Sequence, residues 1–417
     1  MKRIVIVGAG PAGMMAAAAA AECGGSVLLL EKMQRIGRKM MITGKGRCNV
    51  TTADDVPEII KNIVGNGRFL NSSVRAFDNA AVMAFFEKAG VPLKVERGNR
   101  VFPESDSAAD VVDAMLHHLH QLHVDIRTQT SVADIVAENG AVCGVRLQSS
   151  DTVSADAVIV AVGGASYPLT GSTGDGYKMA RAAGHHITPI FPALVPLCTA
   201  EPWVRDVQGL SLRNVRAALY HAGKKQAEEF GEMMFTHFGV TGPIVLRLSR
   251  RASELLSQGA HRLDLRLNLK PALTPDVLRT RIDRDFSKYQ RKQLHNGMVD
   301  LLPHRLIDIV LRTAELSPER PAGQVSAKER NRLVQTLQAL PLTVTGTRPL
   351  AEAIVTAGGI DTREIDPRTM ASKLVRRLYF AGEVVDVDGF TGGYNLQAAF
   401  SMGHAAGYHA VQNLEGE

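Results

Sequence analysis

No stretch of this 417-residue chain holds the roughly 18 consecutive apolar residues that a membrane span needs. The early apolar run is interrupted by Gly8, Gly10, Pro11 and Gly13, so it does not read as a signal peptide. Cysteine is sparse: Cys23, Cys48, Cys143 and Cys198 are far apart and form no CxxC pair. That spacing argues against a disulfide framework or a zinc site and suits a reducing cytoplasm. The cluster His117, His118, His120 and His123 has helical spacing and no acids among it, so no metal is expected there. Internal repeats and low-complexity tails are also missing. What remains is a chain that is 45% hydrophobic and long enough for two or three domains.

The charge is unevenly placed. Residues 191–350 contain 24 Lys and Arg against 15 Asp and Glu, a formal +9, whereas the whole chain carries +6. The positive surplus therefore lies entirely in the middle of the chain. It suits an anion- or nucleic-acid-binding surface, or equally a solvated basic one.

Residues Lys2–Val7 form an apolar strand and Met14–Glu22 an Ala-rich helix closed by Gly24-Gly25. Ser26–Leu30 is a second strand. Residues 36–52, rich in Gly, Lys and Arg, read as a long ordered loop. Val74–Ala89 and Ala108–Leu122 read as helices, and Lys94–Phe102 as a hairpin. Asp125–Val145 reads as strands about Asn139-Gly140, a type I′ turn signal. Ala155–Val162 is a buried strand. The prolines at 189, 192, 196 and 202 mark a crossing into another domain. The expected organisation is a first part over 1–190, an insert over 191–350 and a completing part over 351–417. The insert is β-rich over 191–270, with strand-like alternation in Val204–Phe235 and His261–Leu269, then helical and basic over 271–340. The final helix is expected over Ala398–Leu414. The fold class is α/β, a Rossmann-type domain with an inserted barrel-like β part and a small helical part.

A GxGxxG alone is weak evidence. Gly8-Ala-Gly-Pro-Ala-Gly13, however, follows a strand and opens a helix, and Glu31 closes the next strand. Gly8 allows the tight turn, Gly10 lets a pyrophosphate approach, and Gly13 lets helix and strand pack. The helix N-terminus offers free N–H groups and partial positive charge to phosphates, and Glu31 can accept ribose hydroxyls. The pattern does not separate FAD from NAD. A second GxGxxG between strand and helix is missing, so NAD(P)H would bind only transiently.

At Ile36-Gly-Arg-Lys39 and Thr43-Gly-Lys-Gly-Arg-Cys-Asn-Val-Thr51 the chain resembles the HI-0933-like, or BaiN/RdsA, family of NAD(P)/FAD-dependent oxidoreductases, its YhiN-like members included. The likeness continues through Arg100–Pro103, Gly163–Pro168, Gly171–Gly176, Phe235–Pro243, Thr356–Gly359, Thr369-Met370, Ser372-Lys373, Gly382–Asp386 and Gly389–Ala398. It implies FAD as cofactor, NAD(P)H as transient reductant, and an FAD domain split by the insert. The cofactor-binding residues it implies are Gly8, Gly10, Ala12, Gly13, Glu31 and Lys32 at the first turn. Arg38, Lys39, Arg47, Cys48 and Asn49 follow on the loop, with Val132 toward the adenine. Gly163, Gly382, Glu383, Gly393, Asn395 and Leu396 complete the set.

The family's two names suggest two acceptors, steroid enones and uridine in 23S ribosomal RNA. Both reactions reduce a conjugated C=C bond, hydride going to the electron-poor carbon (C6 in uridine) and a proton to its neighbour. The basic insert favours ribosomal RNA or its precursor as partner. Arg279, Arg281, Arg284, Lys288, Arg291 and Lys292 recur along one helical stretch and form either a phosphate-facing stripe or a solvated face. Cys48, His237 and Tyr394 are the candidate proton donors. A steroid-like enone reductase and a non-catalytic, flavin-binding RNA-interaction protein stay open as alternatives.

Overall fold

The computed structural model describes residues 2–414, which divide into two compact units: residues 2–191 with 350–414, and residues 192–349. In the first unit β1 (Arg3–Val7), α1 (Pro11–Glu22) and β2 (Ser26–Leu30) follow one another directly. Ile4, Val5 and Ile6 are fully buried, and Val27–Leu30 nearly so. A strand covered on both faces reads as an unbroken apolar run, and these do. The chain continues through α2 (Arg38–Ile42), β3 (Asp125–Arg127), β4 (Ala157–Val160), β5 (Leu378–Phe380) and α3 (Tyr394–Gln412). The five strands pair in the order β5-β4-β1-β2-β3, all parallel. The sheet therefore takes its edge strand β5 from the far end of the chain.

Small residues set the spacing of α1 and α3. Along α1, Ala12 and Ala16–Ala20 are buried. A Cβ added at Gly403 would strike the Ala12 carbonyl, and one at Gly407 the Ala16 carbonyl. The two helices thus meet backbone to backbone, which only glycine on one side permits. At the type I′ turn, Asn139 (φ 52°) and Gly140 (φ 74°) join the strands Val132–Glu138 and Ala141–Leu147, as the dipeptide predicts.

Three local expectations differ from the structure. Residues 36–52 are not one loop: α2 makes more than a turn of helix, a 3-10 turn covers Thr43–Lys45, and Thr51-Thr52 pairs with Val101 and Arg100. The interspersed glycines at 37, 44 and 46 hide these short pieces. The helix expected over Val74–Ala89 is two helices, Asn71–Ala76 and Asn79–Lys88, because Asp78 caps the second by accepting from the Ala81 N–H at 2.8 Å. The last helix begins at Tyr394, one turn earlier than expected, with Gly393 as its cap.

The second unit carries a closed six-stranded antiparallel barrel in the order Leu197–Thr199, Gly239–Thr241, Lys224–Thr236, Ser211–His221, Leu263–Asn268, Leu340–Thr347. Leu263, Leu265 and Leu267 point inward while Asp264 and Arg266 are exposed, the two-residue period of a barrel wall. Within the part read as β-rich the structure places a helix, Pro243–Ser257, which buries Leu248, Ala252 and Leu255. Helices Pro275–Lys288, His304–Thr313 and Ala327–Gln338 follow, the last started by a Ser326–Glu329 capping box. Among the described residues no helix is long and apolar enough to cross a membrane.

Gly403→Val should lower stability by about 1–3 kcal/mol, because the branched side chain must push α3 off the Ala12 backbone. Thermal unfolding followed by circular dichroism checks this; an unchanged midpoint would show that the crossing is not tight.

Candidate functional site

The glycine turn between β1 and α1 has the geometry its sequence demands. Gly8 has φ 99°, and a Cβ there would meet the Ala161 carbonyl of the segment after β4 at 2.6 Å. A Cβ at Gly13 would run into the Gly8 carbonyl. At Gly10 the corresponding space is open, with no atom within 4 Å. Two glycines are thus required by the protein's own packing. The third leaves room that nothing in the described protein fills. Pro11 starts the helix, where its missing N–H costs nothing.

Glu31, at the end of β2, bridges two backbone segments. One carboxylate oxygen accepts from the Ala9 N–H and the other from the Met33 N–H, each at 2.8 Å. Each oxygen keeps a further acceptor position. Lys32 beside it is bound to Asp175 at 2.6 Å and to Thr173 at 2.5 Å, so its ammonium is already engaged.

The segment after β2 meets the C-terminal return at Lys39. Its ammonium lies 2.5 Å from one Glu383 oxygen and 2.8 Å from the Ser166 hydroxyl. The other Glu383 oxygen accepts from the Ser166 hydroxyl at 3.0 Å and from the Thr356 N–H at 2.7 Å. The Thr356 hydroxyl in turn accepts from the Ala165 and Ser166 N–H groups at 2.9 and 3.0 Å. Burial pushes the Glu383 pKa up, but Lys39 and Thr356 outweigh it and hold the carboxyl below its usual range. The cluster joins four separate segments. Gly163 sits just before it (φ 74°), and Gly382 packs against Ala12 of α1. Sequence reasoning does not single out Ser166 and Thr356; their only signal is membership of the Gly163–Pro168 and Thr356–Gly359 motifs.

Other expected residues have protein partners. Arg47 is paired with Glu96 at 2.8 Å and Asp106 at 3.1 Å, and its guanidinium lies 4.0 Å over the Phe102 ring. Arg38 on the same segment is exposed and has no acidic partner among the described residues. Asn49 is different again: its Oδ1 is buried without a hydrogen-bond partner. A buried unsatisfied acceptor is costly unless a ligand donor meets it. Val132 is buried and heads its strand, in register with Leu147.

Of the candidate proton donors, Cys48 is wholly buried, in a left-handed conformation (φ 60°). Burial, only partly opposed by a hydrogen bond to Thr43, pushes its thiol up to about 12, so it keeps its proton at neutral pH. Tyr394 donates its phenol proton to Asp54 at 2.6 Å and so ties the start of α3 to the 51–54 segment. Burial raises Asp54, but bonds from Tyr394, Asn99 and Thr52 bring it below the usual carboxylate range. Asn395 fastens the same turn, accepting from the Gly389 N–H and donating to the Gly389 carbonyl, both at 2.8 Å. Gly393 and Leu396 flank it, and the first N–H groups of α3 have no intrahelical acceptor. His237 belongs to the other unit, exposed, edge-on to Phe238 at 4.9 Å.

The basic stripe is also in the second unit. Its helix ends at Lys288, so Arg291 and Lys292 lie beyond it. Arg281 and Arg284 both face Asp285, at 2.6 and 3.5 Å, and Lys288 faces Asp300 at 3.1 Å. Arg279 lies 3.9 Å from Asp276, and Lys292 over the Tyr289 ring at 5.1 Å. Much of the stripe's charge is thus answered by its own acids. Among the described residues no three His, Cys, Asp or Glu side chains are grouped to hold a metal ion.

A parallel sheet with this glycine turn and closing acid defines a dinucleotide-binding fold, which family membership makes that of a flavin oxidoreductase. Residues 2–409 match the HI0933-like protein Rossmann domain, and the chain belongs to that family. It is 31% identical over 99% of its length to the 3-dehydro-bile acid delta(4,6)-reductase of Clostridium scindens, covering 100% of that protein. It is 30% identical to the ribosomal RNA dihydrouridine synthase of Escherichia coli strain K12, covering 96% of each chain. Among solved structures it resembles the open conformation of a flavocytochrome c3 fumarate reductase, with a TM-score of 0.52 and 16% identity over 99% of this chain and 78% of that one. A 3-ketosteroid delta1-dehydrogenase from Sterolibacterium denitrificans also gives a TM-score of 0.52, at 13% identity over 99% and 100%. These two likenesses concern the fold.

Lys39→Met should destabilise the protein by about 1–3 kcal/mol at pH 7, because it strands a largely buried carboxylate. The wild-type advantage is present above the ordinary carboxylate pKa and is lost as pH falls through the depressed pKa of Glu383. Urea unfolding of both proteins from pH 7 to pH 3 should show the two curves converging in acid; a gap independent of pH would contradict the pairing.

Proposed function

We propose that this protein is a cytoplasmic FAD-dependent oxidoreductase, re-reduced by NAD(P)H, that saturates the C5=C6 bond of a uridine in 23S ribosomal RNA. The fit to FAD rests on three features of the protein itself: the open space at Gly10, the remaining acceptor positions of Glu31, and the orphaned Asn49 Oδ1. Gly10 and the start of α1 would receive the pyrophosphate, and Glu31 the ribose hydroxyls. Arg38, Asn49 and the first turn of α3 would hold the remainder, with Gly382-Glu383 fixed in place by Lys39. Bound FAD, once reduced by NAD(P)H, would supply the hydride that a conjugated C=C bond accepts.

The protein must then deliver a proton to the neighbouring carbon. Cys48 retains its proton but is sealed from solvent, and the Tyr394 proton is engaged by Asp54. A solvent water is the source that remains in the first unit. An acceptor within folded RNA must be splayed from its stack before it can meet a flavin ring.

The observation that carries the RNA reading is the confinement of the positive surplus to residues 191–350, since phosphate recognition needs that sign of charge. A second reading, a small-molecule enone reductase, is favoured by the full-length similarity to the bile acid reductase and by the internal pairing of the Arg281–Lys288 stripe. Nucleoside mass spectrometry of 23S rRNA separates the two. Deletion of the gene should remove one dihydrouridine, and complementation should restore it; unchanged dihydrouridine with turnover of steroid enones would favour the second reading.

Gly10→Val should cost the purified protein most of its FAD, weakening binding at least about tenfold, while the fold shifts by under about 0.5 kcal/mol. The Cβ of valine meets no protein atom, and the extended backbone at this position (φ −81°, ψ −175°) accepts any residue. Flavin absorbance and a melting curve measure the two effects separately. Full flavin content in the variant would place the pyrophosphate elsewhere.

A further inference from the structure

We infer that the outer face of the barrel formed by the strands Lys224–Thr236, Ser211–His221 and Leu263–Asn268 is a platform for single-stranded RNA, with Phe230 as its stacking residue. The inference rests on the RNA reading above and names the surface that would serve it.

The register places the face. Arg216 lies directly across from Phe230 on one side and from Asn268 on the other, so all three point the same way. Two residues along the central strand, Ala218 is flanked by Glu228 and Arg266; two further, Tyr220 is opposite Asp264. The intervening Ala217, Leu219, Leu265 and Leu267 are buried; in the alternate row Arg216 is exposed, Tyr220 half-buried and the small Ala218 buried. Phe230 is 59% exposed there, a large apolar ring in the middle of a polar wall.

Its surroundings select the partner. The Arg266 guanidinium lies 4.3 Å over the Tyr220 ring, which holds the cation on an aromatic support. Arg216 makes a loose pair with Glu228 at 3.7 Å. At the hairpin end, Lys224 and Arg262 are exposed and have no acidic partner among the described residues. By contrast, the helical stretch ending at Lys288 is largely neutralised by Asp285 and Asp300. The face carries Glu228 and Asp264 beside Arg216 and Arg266, and Lys224 and Arg262 at its hairpin end are the cations left over. Aromatic rings beside such cations are what an unpaired nucleic-acid strand requires: bases stack on the rings and phosphates meet the cations. Duplex RNA buries its base faces in its own stack and offers nothing to Phe230.

The test uses the full-length flavoprotein and a fluorescein-labelled 12-nucleotide oligouridylate, with an RNA duplex of equal length as the comparison probe. Phe230→Ala should weaken oligouridylate binding roughly tenfold and leave duplex binding unchanged, since one base stack is removed. A double variant, Arg216→Glu with Arg266→Glu, should weaken both probes and flatten the dependence of binding on salt. Flavin absorbance and the melting midpoint report whether each variant is folded, and ultraviolet crosslinking of wild type, mapped by mass spectrometry to residues 211–236, reads the contact without any substitution. If wild type binds the oligonucleotide and forms dihydrouridine in rRNA, but crosslinks elsewhere and loses nothing on either substitution, this surface is refuted while the RNA reading stands. If wild type neither binds the probe nor affects rRNA, the RNA reading fails and this inference with it.

Discussion

The close crossing of the first and last helices is the constraint on which the first unit depends. Residues 192–349 interrupt the chain between β4 and β5, so the sheet and its glycine turn can be completed only if the returning segment finds its place again. Gly403 and Gly407 allow α3 to lie on the backbone of Ala12 and Ala16. A helix pair held at that distance has essentially one register, because any larger side chain at the contact would separate it. Docking α3 in this way carries β5 to the sheet edge and brings Gly382 against Ala12.

That docking also assembles the site. Lys39 comes from the segment after β2, Ser166 from the segment after β4, and Thr356 and Glu383 from the return. Their hydrogen bonds share one largely buried carboxylate, which is tolerable only with all its acceptor positions satisfied. Tyr394 and Asp54 make a comparable tie at the start of α3. Several candidate site residues also hold the protein together: Arg47, Lys32 and Tyr394 each have strong internal partners. The space at Gly10 and the oxygen of Asn49, by contrast, are met by no protein group among the described residues.

In the second unit, pairing works against the expected function at one place and for it at another. A run of cations along the helix ending at Lys288 looks like a phosphate track until Asp285 and Asp300 fold against it. The barrel wall shows the reverse. Phe230 and Arg216 are well apart in sequence and ordinary there, yet antiparallel register sets them side by side on an exposed surface.

The nucleotide turn, the parallel strands beside it, the Asn139-Gly140 hairpin and the uneven placement of charge are all legible without a structure. They depend on contacts between residues a few positions apart, or on composition, and both are written locally. The short helix at Arg38–Ile42 and the break at Asp78 escape that reading because glycine and capping outweigh periodicity over so few residues. The 15-residue helix at Pro243–Ser257 keeps the helical period and opens with proline, so its signal is present in the sequence. Which charged groups are free is a matter of tertiary structure alone. Glu383 meets Lys39 across 344 positions, Tyr394 meets Asp54 across 340, and no local pattern encodes such a partner. A side chain's chemistry is set by what folds against it, so the partners of Arg47 and Tyr394 and the orphaned oxygen of Asn49 are not written in their neighbours in sequence.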